Sequence, residues 1–265
     1  MEKNIESLAY DLEIKPEEIE TKMPGAFVKY VPIKDRSSDI KLASLSGVIQ
    51  KSKERKLEKA IYEFISLDIW NNLLNEYSEI NDLKFRAPKP IAIRDIDSDS
   101  PSLLMEFLNG YELRKVGNLK RTTPVRVGGQ KYPLPLYPAI ALHLGALNRI
   151  KEMEGLYHGD YDDRHIIFNL LDNVSVGAVD LENSRGGMPD TVKNESAKMK
   201  DIFKSKTCSQ KDLDVLDSWY MQGYETVTFG SGSKIGKVLE KLQEKYGIDI
   251  DFMNGKIGGR RLRLS

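Results

Sequence analysis

The sequence predicts a mixed α+β fold in two parts, a small β-rich N-terminal lobe over residues 1–108 and a mainly helical C-terminal lobe over residues 109–265. Three observations carry this reading. Short β-type segments bounded by prolines and polar turns gather before residue 108, on either side of one long helical stretch. Helical periodicity dominates beyond it. Asn109-Gly110 breaks the chain between the two.

In chain order, the first residues carry little pattern until Ala26-Phe27-Val28-Lys29-Tyr30-Val31-Pro32, a short strand ended by proline with Lys29 as its one internal charge. Residues 53–77 place Leu57, Ile61, Phe64 and Ile65 on one face at helical spacing, and Leu67, Trp70 and Leu74 widen it, so a long buried helix is expected. Asp68 falls on the same apolar face, where a buried acid needs a partner. Ala87-Pro88-Lys89-Pro90 punctuates the chain, and residues 91–93 and 103–107 read as a strand pair across the polar turn 95–100. Residues 115–135, basic and carrying Gly128-Gly129, read as an insertion or long loop. A helix over 137–153 follows, and helices return from Glu195 onward, including 234–246. The run 256–263 is basic and glycine-bearing.

Bulk properties narrow the function. Forty basic and forty acidic residues cancel, which removes any whole-molecule electrostatic reason to expect nucleic acid or an anionic membrane as partner. Cys208 is the only cysteine, so no intrachain disulfide forms, and a cytoplasmic protein is expected. Residues 1–10 lack a signal-type apolar core. The longest apolar stretch, residues 136–147, is interrupted by Pro138 and His143 and is too short to span a bilayer, so no transmembrane segment is expected.

The densest chemistry lies between His158 and Glu182. Two of the three histidines, His158 and His165, stand within eight residues of each other together with Asp160, Asp162, Asp163 and Arg164. Ile166-Ile167-Phe168, the turn formers Asp172-Asn173, the run 174–179 and then Asp180-Leu181-Glu182 read as strand, turn and strand. With Asp172-Asn173 central to the turn, antiparallel pairing sets His165 opposite Asp180, with Asp160 just upstream. One carboxylate beside a substrate hydroxyl and two groups on a metal is what phosphoryl transfer needs, because positioning and charge neutralisation do most of that work. Any single aspartate here has a purely structural alternative, as a strand end or a solvated turn. The ordered set points to chemistry. A metal hydrolase built on His158, His165 and the aspartates is another reading, although the spacing is not that of an HExxH helix. His143 sits mid-helix among Ala141, Leu142 and Leu144, as packed histidines do.

On these residues the chain resembles the protein-kinase-like superfamily, in its atypical and small-molecule kinase branch. His158-Gly159-Asp160 is similar to the HRD of protein kinases and, more closely, to the HGD of aminoglycoside phosphotransferases and RIO-type kinases. Asp180-Leu181-Glu182 resembles their DFG or DFE. The resemblance implies a bilobal protein-kinase-like fold, with Asp160 as the catalytic aspartate and Asp180 as a metal ligand. The usual asparagine five residues after the catalytic aspartate is replaced by His165, as in lipopolysaccharide heptose kinases, so His165 and Asp180 form the implied metal pair. Residues 105–110 resemble the hinge that holds adenine, with Glu106 and Leu108 at the contact positions. Lys29 resembles the strand lysine that meets ATP phosphates, with Glu63 as the helix acid that orients it and Asp68 as competitor. The implied cofactors are ATP and Mg²⁺, with Mn²⁺ as alternative ion, and the implied acceptor is a hydroxyl on a sugar, another small molecule or a protein. The chain departs from the pattern in having only Gly25, and no GxGxxG, before Lys29, and no APE after Asp180. A pseudokinase, a binding or scaffold module without turnover, is the alternative these departures leave.

Overall fold

The computed structural model describes residues 5–13, 27–31, 47–52, 57–81, 83–99, 101–106, 108, 110–115, 122–127, 130–169, 174–205, 210–227, 233–258 and 260–261. The N-terminal portion holds helix α1 (Ile5–Leu12), strands β1 (Phe27–Val31) and β2 (Gly47–Ser52), helix α2 (Leu57–Asn81) and strands β3 (Lys84–Arg86), β4 (Pro90–Arg94) and β5 (Ser102–Glu106). Four of these strands form one sheet in the order β1-β2-β5-β4. The expected pair around the polar turn is β4 with β5, antiparallel, with an irregularity between Pro90 and Ala92 where proline brings no N–H to the ladder.

Helix α2 is buried on every side rather than along one face. Each residue from Ala60 to Trp70 is buried, Glu63, Ser66 and Asp68 included. Asp68 finds its partners on the C-terminal helix α6 (Ile235–Tyr246), where Lys245 Nζ lies 2.8 Å from the carboxylate and the Tyr246 hydroxyl donates to the same oxygen. The first residues, which show little pattern in sequence, include α1, whose Leu8 and Ala9 join the same core.

Helices α3 (Leu136–Glu154), α4 (Pro189–Ser205), α5 (Gln210–Thr226) and α6 build the C-terminal portion. Helices α3 and α5 approach at glycines: a Cβ on Gly145 would lie 2.0 Å from the Tyr220 carbonyl oxygen, and one on Gly223 would lie 1.9 Å from that of Leu142. At the end of α3 the buried Glu154 accepts hydrogen bonds from the Ser233 hydroxyl, the Tyr77 hydroxyl and the N–H groups of Lys234 and Ile235. A carboxylate at that place satisfies donors that α6 leaves open at its N-terminus and suits the helix dipole.

A second sheet joins the two portions. Its order is β3-β11-β10-β6, with β6 (Tyr111–Glu112), β10 (Ile166–Asn169) and β11 (Ser175–Ala178). Strand β3, from before residue 108, pairs parallel with β11, so the sheet that carries the β10–β11 pair crosses the expected lobe boundary. Residues 115–135, expected as an insertion or loop, contain the hairpin β7 (Thr122–Val127) and β8 (Gln130–Pro135). Its three prolines mask the strand pattern in sequence, yet a two-stranded ribbon is all edge, where proline is tolerated. Residues 256–257 and 260–261 of the basic run belong to a small sheet of β13 (Ile250–Asp251), β14 (Lys256–Ile257) and β15 (Arg260–Arg261). Among the described residues no helix is long and apolar enough to cross a membrane.

Candidate active site

Helix α3 leads into strand β9 (Leu156–Tyr157), which pairs with β12 (Arg185–Gly186), and the chain turns at once into His158. This histidine is fully buried. Its Nε2 lies 3.0 Å from the Val179 carbonyl oxygen, and its Nδ1 lies 3.4 Å from the Asp160 backbone nitrogen. The network therefore assigns the proton to Nε2 and a lone pair to Nδ1. Burial, with the neighbouring Lys151 charge adding to it, pushes the His158 pKa down to about 3. The ring is a neutral staple between the loop at Asp160 and the strand end at Val179. With both nitrogens engaged by backbone, His158 stands outside the group of Asp160, His165 and Asp180 described below. His143 is likewise packed, its Nδ1 2.8 Å from the Ala139 carbonyl oxygen.

The hairpin register differs by one residue from the sequence expectation. Ile166 pairs with Ala178 and Ile167 with Gly177, which sets Val179 opposite His165; the Val179 N–H donates to the His165 carbonyl at 2.9 Å. Asp180 stands one step further, in the left-handed region at φ 61°. That turn returns its side chain to the histidine: His165 Nε2 lies 3.4 Å from an Asp180 carboxylate oxygen. The other ring nitrogen, Nδ1, lies 2.6 Å from the Asp160 carbonyl oxygen and 3.7 Å from its carboxylate. One ligand atom from each of Asp160, His165 and Asp180 fits within a mutual distance of 4.8 Å. The Asp160 side chain is 50% exposed, so a substrate can reach it, whereas that of His165 is 12% exposed and is held from behind.

Neighbouring residues are spent on the loop itself. Arg164 donates to the Asp162 carboxylate through Nε and Nη2, at 2.8 and 2.6 Å, and through its backbone N–H. Partial burial raises the Asp162 pKa, but the Arg164 hydrogen bonds outweigh it and the net shift is downward. Gly159 has φ 87°, and a Cβ there would lie 2.6 Å from Asn183 Cβ. Conformation and space both reserve the position for glycine.

Behind the loop stand residues that the sequence reading did not single out. Glu195 of α4 accepts the N–H groups of His158 and Gly159 at 3.0 and 2.9 Å. It also pairs with the fully buried Lys151 at 2.7 Å. Lys151 Nζ lies 3.1 Å from the Tyr161 ring centre, and burial pushes its pKa down to about 8 against the Glu195 charge. The signal was present in sequence: Lys151 continues the apolar stripe Ile140, Leu144, Leu147, and Glu195 lies three residues after the buried Val192. A charge on an apolar stripe calls for a partner.

The other site candidates lie in the N-terminal portion. Lys29 falls in β1, at the edge of its sheet, and nothing is described of its side chain. Glu63 is buried within α2, whereas the competing Asp68 is engaged by Lys245 and Tyr246. Glu106 ends β5, where its carboxylate meets Arg86 at 2.8 Å and its N–H donates to the Lys89 carbonyl at 2.8 Å. Leu108 is buried, and its neighbours Phe107 and Asn109 lie outside the described residues. Strand β2, between β1 and β5, carries a second lysine, Lys51, six residues before α2 begins.

No family model matches the chain, and no curated protein matches it. Among solved structures it is similar to a Rio2 kinase in an ADP/Mg²⁺-phosphoaspartate complex from Chaetomium thermophilum, at 15% identity and a TM-score of 0.40 over 71% of this chain and 52% of that one. The chain thus spans about half the length of that kinase. It is also similar to WaaP in complex with acyl carrier protein, at 13% identity and a TM-score of 0.38 over 73% of this chain and 71% of that one. The mixed α+β architecture expected from the sequence is the one observed.

Proposed function

We propose that this chain is an ATP-dependent phosphotransferase that moves a γ-phosphoryl group to a hydroxyl acceptor. The observation that carries the reading is the convergence of Asp160, His165 and Asp180 within 4.8 Å. The Nδ1 of His165 lies 2.6 Å from the Asp160 carbonyl oxygen, which orients the ring so that Nε2 faces the Asp180 carboxylate at 3.4 Å. With the ring proton on Nδ1, Nε2 presents a lone pair, and a cation between it and the carboxylate would be held by both. Carboxylates with one imidazole fit Mg²⁺, and the imidazole makes Mn²⁺ an equally good occupant. Such an ion supplies neutralisation of phosphate charge.

Asp160, the exposed member, is the group to orient the acceptor hydroxyl and take its proton. Lys29 and Lys51 compete for the phosphates, each as a point charge, and Glu63 is the acid to orient whichever serves. Glu106 and Leu108 remain the positions for adenine, at the passage between lobes 1–108 and 109–265. The acceptor is a hydroxyl on a sugar, another small molecule or a protein.

Metal-dependent ATP turnover tests the reading, with Lys29→Met and Lys51→Met compared in parallel. Only the lysine that meets phosphate should lose turnover; loss in neither removes the proposed nucleotide site. A second reading, a binding module without turnover, is favoured by the absence of GxGxxG ahead of both lysines. ATP binding without phosphate release in the same assay would select it.

A further inference from the structure

We propose that Ser184 is a positioning residue that sets Asp180 for metal binding, and that helix α2 acts on the site through it; this rests on the metal-site reading above. Ser184 follows Asp180 by four residues and is fully buried. Its hydroxyl accepts from Trp70 Nε1 at 2.6 Å and donates to the Tyr157 carbonyl at 3.0 Å. Its backbone carbonyl accepts the Tyr62 hydroxyl at 2.5 Å, and its N–H donates to the Leu181 carbonyl at 3.1 Å. One residue thus ties α2, the strand just ahead of His158, and the turn that follows Asp180.

Asp180 needs such a tie. A left-handed backbone is unfavourable for an L-residue and persists where the surroundings hold it in place. Upstream, Val179 is fixed by its carbonyl to His158 and by its N–H to His165. Downstream, Leu181 is fully buried, and Ser184 ties the end of the turn to α2 and to Tyr157. Between these two points Asp180 has little freedom, and its carboxylate is kept facing His165. Trp70 touches both anchors, since its ring also stands edge-on to His158 at 5.9 Å. Release of Ser184 lets the turn relax and the carboxylate leave the ligand set without any loss of core volume beyond one hydroxyl.

The test is Mn²⁺ binding to the full chain, followed by Mn²⁺ electron paramagnetic resonance. Trp70 is one of two tryptophans, so Trp219→Phe leaves it as the only indole, and its quenching by Mn²⁺ is a second readout. Ser184→Ala is expected to weaken Mn²⁺ roughly 10-fold, the lower end of the effect of groups behind metal ligands, with unchanged far-ultraviolet circular dichroism. Trp70→Phe, read by resonance alone, should lose less, and the double variant should bind no more weakly than Ser184→Ala. Unchanged affinity in a folded Ser184→Ala, or additive losses in the double variant, overturns the proposal. Should Ser184→Ala fail to fold, Trp70→Phe decides, and unchanged affinity there overturns it. A wild-type chain that binds no Mn²⁺ refutes the metal site and this proposal together. Binding that is lost in Asp180→Ala and kept in Ser184→Ala refutes this proposal alone.

Discussion

His165 and Asp180 face each other at 3.4 Å although the hairpin does not pair them; the meeting is made by a left-handed turn at Asp180, not by the ladder. Backbone conformation and the proposed metal ligation can therefore be separated at this residue. Asp180→Gly keeps the turn and removes the carboxylate, while Asp180→Ala removes the carboxylate and adds strain. Asp180→Gly is expected to be more stable than Asp180→Ala by about 1 kcal/mol, and both to lose metal binding. Urea denaturation and Mn²⁺ titration of the two variants check this.

The imidazole tests the choice of ion. His165→Asn supplies a carbonyl oxygen, the ligand type that Mg²⁺ prefers. It is expected to keep turnover with Mg²⁺ and to lower the ratio of Mn²⁺- to Mg²⁺-supported rates. A ratio that rises contradicts Nε2 ligation.

Acid sensitivity follows from two buried neutral histidines. Burial holds the His143 pKa at about 4 and the His158 pKa at about 3. Both are depressed below the unfolded value, so stability is full above about pH 6.5 and is lost as pH falls toward the folded values. At pH 5 the loss is on the order of 2 kcal/mol for each ring. Urea midpoints between pH 7 and 5, above the titration of ordinary carboxylates, measure it, and His143→Gln should remove part of the slope.

The Lys151–Glu195 pair behind the loop at His158 and Gly159 has an order of costs. Glu195→Gln leaves Lys151 charged and buried without its counter-charge, which is expected to cost about 3–5 kcal/mol. Adding Lys151→Met to that variant should recover stability. Denaturant unfolding of single and double variants shows whether the loss is one of unpaired charge or of packing.

Much of the centre was legible in sequence because it is local. Asp160 and His165 are five residues apart in one loop, and the hairpin that returns Asp180 is short, so turn chemistry and alternation suffice to bring them near one another. A two-residue turn at Asp172-Asn173 sets Asn169 opposite Val176, whereas the ladder pairs Asn169 with Ser175, which is the one-residue difference in register. The positive φ of Asp180 left no mark in composition. Ser184 and Trp70 are 114 residues apart, and neither residue type announces a long-range partner. Asp68 shows the intermediate case: an acid on an apolar face signals that a partner exists, but only the fold reveals Lys245 and Tyr246 as that partner. The hairpin over residues 122–135 was hidden because its prolines argue against a central strand and say nothing against an isolated ribbon.

The most direct measurement of the proposed phosphoryl-transfer site is the turnover of Mg²⁺-ATP by Asp160→Asn beside Asp162→Asn and the unaltered chain. Asp160 is exposed at the ligand cluster, whereas Asp162 is held by Arg164. If Asp160 takes the acceptor proton, its amide should lose about 10²–10⁴ in rate, while Asp162→Asn should lower stability and leave the rate of the folded fraction within a few-fold. Equal losses in the two variants, or an Asp160→Asn that turns over as fast as the unaltered chain, would contradict the assignment.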